Sequence, residues 1–425
     1  MKLVCAPPDH PLHGAASGDL HVVLYGRADH PGMGSVGAAV KQVLHRNRLQ
    51  PTARAWDLLS IALSVTAADV GAARAASADG WTRQLELCVA VCEPAFWASQ
   101  KALLERQLRF LTTDIWQLRF TDGGLLPDSR KAPAPPEGDS VVLLSGGLDS
   151  LVGTLDLVVA AGRRPYAVSQ ITRGDGEKQA LFARSIGGGL QHLQLNHNAQ
   201  CPGQAERSQR ARSLVFLTYA VVAATCLQRY QSGEGATLYV CENGFISVNP
   251  PLTDARLGSL TTRTTHPVFL ALFQQLLDAA GLTVRVETPY QFRTKGEMLI
   301  ECADQKFLKD HAHESTSCGR FSRYSYKHCG RCVPCLVRRA AFRRWGVADR
   351  TRYVYADLGR NDDDHARFDD VRAVAMAVAQ VETEGLDAWL GSTLAPLPGD
   401  PLAYSETVRR GLGELAQLLE AAGVQ

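Results

Sequence analysis

The sequence predicts an α/β protein: a doubly wound parallel-sheet core, preceded by a small N-terminal α+β domain and followed by helices. Three observations predict it. Between Val141 and Cys241, short apolar runs alternate with longer helical stretches in β-α-β-α-β order, the order that builds a parallel sheet. The first run, Val141–Leu144, is apolar throughout, as suits a strand covered on both faces. The segment Pro127–Asp139, PDSRKAPAPPEGD, carries four prolines and several charges without hydrophobic periodicity, and reads as a linker.

The elements follow in order. Leu20–Tyr25 reads as a strand, and Thr52–Ala73 as a helix with apolar Trp56, Leu59, Ile61, Leu63 and Val65. Thr82–Val91 alternates and reads as a strand. Pro94–Thr112 is helical, with Pro94 suited to a first turn, and Ile115–Phe120 closes the N-terminal domain as a strand. In the core, Leu151–Ala161 is a helix, Tyr166–Gln170 a strand, Ala180–Ile186 a helix and Leu190–Leu195 a strand. Ser213–Gln228 is a long apolar helix and Thr237–Cys241 a strand. Beyond Asn361 the chain is mostly helical: Ala366–Thr383, Leu386–Leu390 and Ser405–Ala422. The expected organisation is 1–126, an N-terminal α+β domain suited to partner docking; 127–139, the linker; 140–348, the core; and 349–425, a helical extension.

The chain has 425 residues, 45% of them hydrophobic and 21% charged, with 45 basic and 43 acidic side chains for a net charge of +2. That is globular composition, and the charge balance argues against direct nucleic-acid binding. No apolar leader or bilayer-length run is visible, so a cytoplasmic location and no membrane partner are expected. Eleven cysteines, most of them scattered, do not form a disulfide framework.

Ser145-Gly146-Gly147-Leu148-Asp149-Ser150 lies between the buried strand and a helix. A phosphate needs backbone N–H donors that can approach closely. Two glycines remove the Cβ obstruction, and the helix N-terminus adds unpaired donors and a positive dipole end. Ser145 and Ser150 offer hydroxyls, and Asp149 can orient the loop or hold Mg²⁺. No Gly-Lys-Ser/Thr follows, so this is not a Walker A loop. The bland alternative is a Gly-rich helix cap.

Cys318, Cys329, Cys332 and Cys335 read C-x10-C-x2-C-x2-C. Two overlapping CxxC steps place three thiolates on one knuckle, and Cys318 completes a tetrahedron. A four-thiolate zinc site leaves no open position for substrate, so its role is structural. Lys327, Arg331, Arg338 and Arg339 are placed to offset its negative charge. A redox CxxC pair or an iron–sulfur cluster are the alternatives, with His328 a spare ligand.

The hexapeptide resembles the SGGxDS signature of the PP-loop ATP pyrophosphatases (adenine nucleotide alpha hydrolase-like), which cleave ATP between the α and β phosphates. Together with HCGRCVPCLVRR it resembles the QueC family, the 7-cyano-7-deazaguanine synthases. Arg212–Leu217, Asn243-Gly244 and Thr294-Lys295-Gly296-Glu297 look like further family segments, and the likeness covers roughly residues 140–345. Ser213 stands where the family has Asn. Arg54–Leu59, Asp79–Thr82, Arg109–Thr112, Glu242–Gly244 and Thr265–Pro267 look similar to QatC, the QueC-like component of the bacterial Qat anti-phage system.

The resemblance implies ATP, Mg²⁺ and zinc as cofactors, with Leu144, Ser145, Gly146, Gly147, Leu148, Asp149 and Ser150 binding ATP. It implies AMP- and pyrophosphate-forming activation of a 7-deazaguanine carboxylate as an acyl-adenylate, then amide formation with an amine. Asp149 and Lys295 would be catalytic. Arg212, Glu242, Asn243, Arg263 and Lys295 would face substrate, with Arg207 and Arg210 beside Arg212. A QatB-like partner or the system's ATPase would be a candidate acceptor. Alternatives are a nitrile synthase using ammonia, a tRNA-modifying PP-loop enzyme and a non-catalytic nucleotide-binding scaffold subunit.

Overall fold

A computed structural model describes residues 1–424 except 15–17, 128–131, 204, 207, 254–262 and 360–369. Part of the Pro-rich segment, Arg207, and the expected start of a C-terminal helix at Ala366 lie outside the described residues.

Two five-stranded sheets carry the fold. The first holds β1 (Lys2–Ala6), β2 (Leu20–Leu24), β3 (Gly34–Val36), β4 (Gln84–Ala90) and β5 (Ile115–Thr121) in the order β3-β2-β1-β4-β5. The second holds β6 (Ser140–Leu143), β7 (Pro165–Gln170), β8 (His192–Leu195), β9 (Ala236–Tyr239) and β10 (Val284–Glu287) in the order β10-β9-β6-β7-β8. Every neighbouring pair runs parallel. Each sheet begins with its central strand, lays its second and third strands to one side, then crosses to the other. The two sheets therefore share one topology.

This corrects the expectation for the N-terminal region, which is a parallel α/β layer and not α+β. The strand missing from the sequence reading is β1, the central one. It is five residues long and stops at Pro7-Pro8. β3, three residues, and β10, four residues, were missed as well.

The sheets share a core. The helix Ala53–Gly71 is buried at every residue from Ala55 to Val70, as a helix that is covered all round must be. Its Ser60, Ser64 and Thr66 hydroxyls turn back to the carbonyls of Trp56, Ser60 and Ala62, which gives each a partner within the helix. It packs on the helix Arg212–Cys226, and one apolar cluster runs from Leu3 and Trp56 through Leu214 and Val222 to Val141 and Leu238. The Pro-rich segment lies along both layers: the Ala134 N–H donates to Arg48 O at 3.0 Å, and the Gln228 N–H to Pro136 O at 2.9 Å.

The opposite face of the second sheet is covered by Leu148–Leu155, Lys295–Glu301 and Val333–Trp345, through Leu151, Met298 and Phe342. A further cluster joins Val333–Trp345 to Asp370–Glu384, Leu386–Leu390 and Pro401–Ala421 around Leu336, Val374, Tyr404 and Leu415. The C-terminal helices thus pack on the second layer. No helix among the described residues is long and apolar enough to cross a membrane.

Candidate active site

In the second sheet the chain reverses its direction of growth between β6 and β9. Ligands of open parallel sheets bind outside the strand ends at such a point. Residues 144–150 leave β6 there. Gly146 has φ +84°, a conformation that disfavours any side chain. A Cβ on Gly147 would meet Ser145 Oγ at 3.1 Å and Thr316 O at 3.2 Å. Ser145 Oγ lies 3.0 Å from Ser150 Oγ and accepts from the Gly147 N–H at 3.2 Å. Ser150 Oγ donates to Gly147 O at 2.9 Å. Two distant residues hold the loop from outside: Gln179 Nε2 donates to Ser145 O at 3.1 Å, and the Thr316 N–H to Gly146 O at 2.9 Å.

Asp149, on the first turn of the following helix, meets Glu242 and Asn243 from the end of β9 and Lys295 from the start of Lys295–Glu301. Lys295 Nζ donates to Asp149 Oδ1. Asn243 Nδ2 donates to Asp149 Oδ2 at 2.7 Å, and its backbone N–H to the same oxygen at 3.3 Å. Lys295 is buried at a helix N-terminus, where both desolvation and the dipole oppose a cation. Its neighbour Thr294 fixes that start with a capping box to Glu297, which satisfies two helix donors at once.

Burial pushes the Asp149 carboxyl upward, but the Lys295 charge and the hydrogen bonds from Glu242, Lys295 and Asn243 outweigh it and hold the group at about 2. Glu242 goes the other way: burial, then the Asp149 charge, push it well above the usual carboxylate range. The pair therefore carries one negative charge, on Asp149, matched by Lys295. Both Asp149 oxygens are engaged. As placed, the carboxylate is the partner of Lys295 and Asn243.

Three cavities open around Glu242. One of about 240 Å³ is floored by the loop and walled by Asp149, Lys295, Thr316 and Ser317. A larger one, about 340 Å³, runs past Gln170 to Gln209, Arg210, Arg212 and Ser213, within the roughly 300–1,000 Å³ range of small-molecule sites. A third, about 170 Å³, lies beyond Val240 and Thr265 against the helix Pro267–Ala279. The structure therefore gathers Leu148, Asp149, Ser150, Glu242 and Lys295 at one site, with Asn243 supporting Asp149 and Arg212 on the adjoining wall. Arg263 does not itself line these three cavities, though Thr264 and Thr265 line the larger one. Its Nη1 donates to Phe110 O at 3.2 Å and its guanidinium covers the Phe110 ring, so it ties the second layer to the first.

The four cysteines lie beside this site. Their Sγ atoms all fall within 4.8 Å of one another, with Cys318–Cys332 and Cys329–Cys335 at 3.9 Å. Zinc–sulfur bonds of about 2.3 Å in a tetrahedron need sulfurs roughly 3.8 Å apart, so the set fits zinc. Backbone N–H groups of Arg320 and Cys329 reach Cys318 Sγ, and that of Cys332 reaches Cys329 Sγ, each at 3.3 Å. His328 is not in the set; its Nε2 accepts from the Ser317 N–H at 3.1 Å. The expected charge-offsetting arginines instead bond to main chain: Arg331 to Asp357 O and Leu358 O, and Arg339 to Ala356 O. Arg338, fully buried, donates to Ala312 O, Ser315 and Ser317 Oγ. The knuckle thereby holds the segment that presents Thr316 to the phosphate loop.

Thr316, Ser317, Gln179 and Lys178 are the residues the sequence reading missed. Lys178 Nζ donates to Thr316 Oγ1 at 2.6 Å, and Thr316 Oγ1 to Asp175 Oδ1 at 2.7 Å. None stands in a motif; the nearest signal was that 316–317 immediately precede the first cysteine.

A family model described as "Queuosine biosynthesis protein QueC" matches residues 264–346. The chain is 30% identical to the 7-cyano-7-deazaguanine synthase of Paracoccus denitrificans over 249 residues, covering 52% of this chain and 95% of that protein. It is 27% identical to 7-cyano-7-deazaguanine synthase 1 of Sphingopyxis alaskensis over 242 residues, 50% of this chain and 97% of that one. A synthase of Methanocaldococcus jannaschii matches at 32% over 89 residues, 20% of this chain and 38% of the relative. No solved structure matches significantly.

Proposed function

Because the chain belongs to the QueC family of 7-cyano-7-deazaguanine synthases, we propose that it activates a 7-deazaguanine carboxylate with ATP and transfers the acyl group to an amine. The observation that carries this is the Ser145–Ser150 loop and the Asp149–Lys295 pair facing one cavity, continuous at Glu242 with a second large enough for a heterocycle.

In this reading a substrate carboxylate oxygen attacks the α-phosphorus of ATP. The α–β bridging bond breaks and pyrophosphate leaves against the loop. An amine then attacks the acyl carbon, AMP departs with the mixed-anhydride electron pair, and the amine loses a proton. The chain supplies orientation and charge neutralisation, with no covalent enzyme intermediate. Lys295 lines the same cavity as the loop, and reaches a phosphate by exchanging Asp149 for it. Glu242, which keeps its proton, donates to Asp149 and leaves the pair singly charged. Cys318, Cys329, Cys332 and Cys335 would hold zinc, which supplies structural cohesion.

About half of this chain has no counterpart in the Paracoccus synthase, while nearly all of that protein is covered. That addition favours an acceptor other than ammonia, so the proposed product is an amide on an amine of a partner protein, in an anti-phage setting. The test is pyrophosphate release from ATP with and without 7-carboxy-7-deazaguanine, followed by mass analysis. Carboxylate-dependent AMP formation supports the reading, and its absence overturns it. A nitrile product would assign the biosynthetic reaction instead, and a mass gain on a partner protein the transfer reaction.

A further inference from the structure

The wall of the larger cavity that carries Gln209, Arg210, Arg212 and Ser213 is built on the first layer. The helix Arg212–Cys226 has no side-chain cap of its own; its N-cap residue is Ala211. The N–H groups just ahead of it are met from elsewhere. Asp69, on the last turn of Ala53–Gly71, accepts from the Arg210 N–H at 2.6 Å and the Ala211 N–H at 2.8 Å, both on Oδ2. The approach is fixed at further points. The Glu206 N–H donates to Val70 O and the Glu206 carboxylate accepts from the Arg74 N–H, both at 2.8 Å. Arg74 Nε reaches Ser208 O at 3.4 Å.

Asp69 is itself locked in place. Arg83 Nη2 donates to Asp69 Oδ1 and to Asp114 Oδ2, each at 2.6 Å, and Arg83 Nη1 caps the helix carbonyls of Asp69 and Ala72. Arg74 forks onto Asp114 at 2.9 and 3.2 Å. All four side chains are at least 97% buried. The Trp81 ring lies between two guanidiniums, Arg74 at 4.9 Å and Arg210 at 4.7 Å. Burial, then the charge of Arg74, pull Arg210 down to about 10, which still leaves it cationic at neutral pH. The three guanidiniums of Arg74, Arg83 and Arg210 thus sit among the carboxylates of Asp69, Asp114 and Glu206.

We propose that Asp69 is a positioning residue of the active site: through the buried Asp69–Arg83–Asp114–Arg74 cluster, the N-terminal layer sets the Arg210–Ser213 wall that receives the anionic substrate. The first layer is then a component of the catalytic site, beyond its expected role as a docking module. The assignment of the cavity to substrate rests on the function proposed above; the positioning itself does not.

Asp57 provides the control. It is a buried acid on the same helix, accepting from the Cys92 and Glu93 N–H groups and Trp97 Nε1, and it touches no cavity residue. Asp69→Asn keeps an acceptor for the Arg210 and Ala211 N–H groups but sets an NH₂ against Arg83 and removes one of the carboxylates that balance the guanidiniums. Hydrogen exchange of the amides at 210–216 should speed up about tenfold or more in Asp69→Asn and stay unchanged in Asp57→Asn. KM for 7-carboxy-7-deazaguanine should rise about tenfold in Asp69→Asn while kcat stays within about threefold, with no KM change in Asp57→Asn. Equal exchange at 210–216 in the two variants would overturn the positioning, whatever the reaction proves to be. Faster exchange with an unchanged KM would show that the wall does not receive the substrate. A wild-type protein without carboxylate-dependent turnover would defeat the proposed function, while the exchange comparison would still decide the positioning.

Discussion

Lys295 Nζ bonds to Asp149 Oδ1 at a point where neither side chain is more than 8% exposed. Two charges have left water here, and each is tolerable only because of the other. Lys295→Met should strand a buried carboxylate and Asp149→Asn a buried ammonium, each costing about 3–5 kcal/mol. The double variant should recover most of that stability and none of the activity. Thermal unfolding and pyrophosphate release, measured on all four proteins, check both halves. Additive stability losses would show the pair to be uncoupled.

Glu242 predicts a pH dependence of opposite sign from the usual acid. Its folded pKa lies above its ordinary 4.5, by burial and the charge of Asp149. Its protonation favours the folded state fully below 4.5, and that contribution is lost as pH rises toward the folded value. Wild type should therefore fall behind Glu242→Gln by up to about 1.4 kcal/mol per pH unit over that window. Asp149 behaves conversely: held at about 2 against an ordinary 3.8, it contributes above pH 4 and is lost as pH falls through 2. Melting temperatures of wild type and Glu242→Gln at pH 5 and pH 8 make the comparison. A constant difference between them would contradict the assignment of the proton to Glu242.

Metal loss should act at a distance. The knuckle reaches the loop through Arg338, the 312–317 segment and Thr316. Cys335→Ser should lower zinc from about one per chain and reduce turnover. Amides of 145–150 should exchange faster. Full activity in zinc-free protein would sink the structural role.

Gly146→Ala should impair ATP binding more than it impairs the fold. At φ +84° an alanine costs about 1–2 kcal/mol, and relief of that strain would turn the loop N–H groups away from a phosphate. ATP titration by calorimetry should show weakened binding, with the melting temperature nearly retained. Wild-type affinity would mean that the loop is not the phosphate site.

Local chemistry explains what was legible beforehand. The Ser145–Ser150 loop and the cysteine knuckle are contiguous or nearly so, and their composition states their function. Lys295 and Glu242 were readable only through the resemblance, because a lone lysine or glutamate carries no pattern. Thr316 and Gln179 each reach the loop through one hydrogen bond from a distant part of the chain. Arg263 was likewise placed by the resemblance, and its guanidinium covers the Phe110 ring. The N-terminal layer was misread for want of β1, a largely apolar run of five residues that ends at two prolines and shows no alternation.

Back-to-back packing of Ala53–Gly71 on Arg212–Cys226 also governs how the chain can be cut. The prolines near residue 133 invite separation into halves, but the seam lies through the oil and not through the loop. A fragment beginning at residue 140 would present a bare stripe around Leu214, Val215 and Val222 to solvent. Such a surface drives aggregation or self-pairing. The halves should be obtained soluble only when produced together, each acting as the other's chaperone.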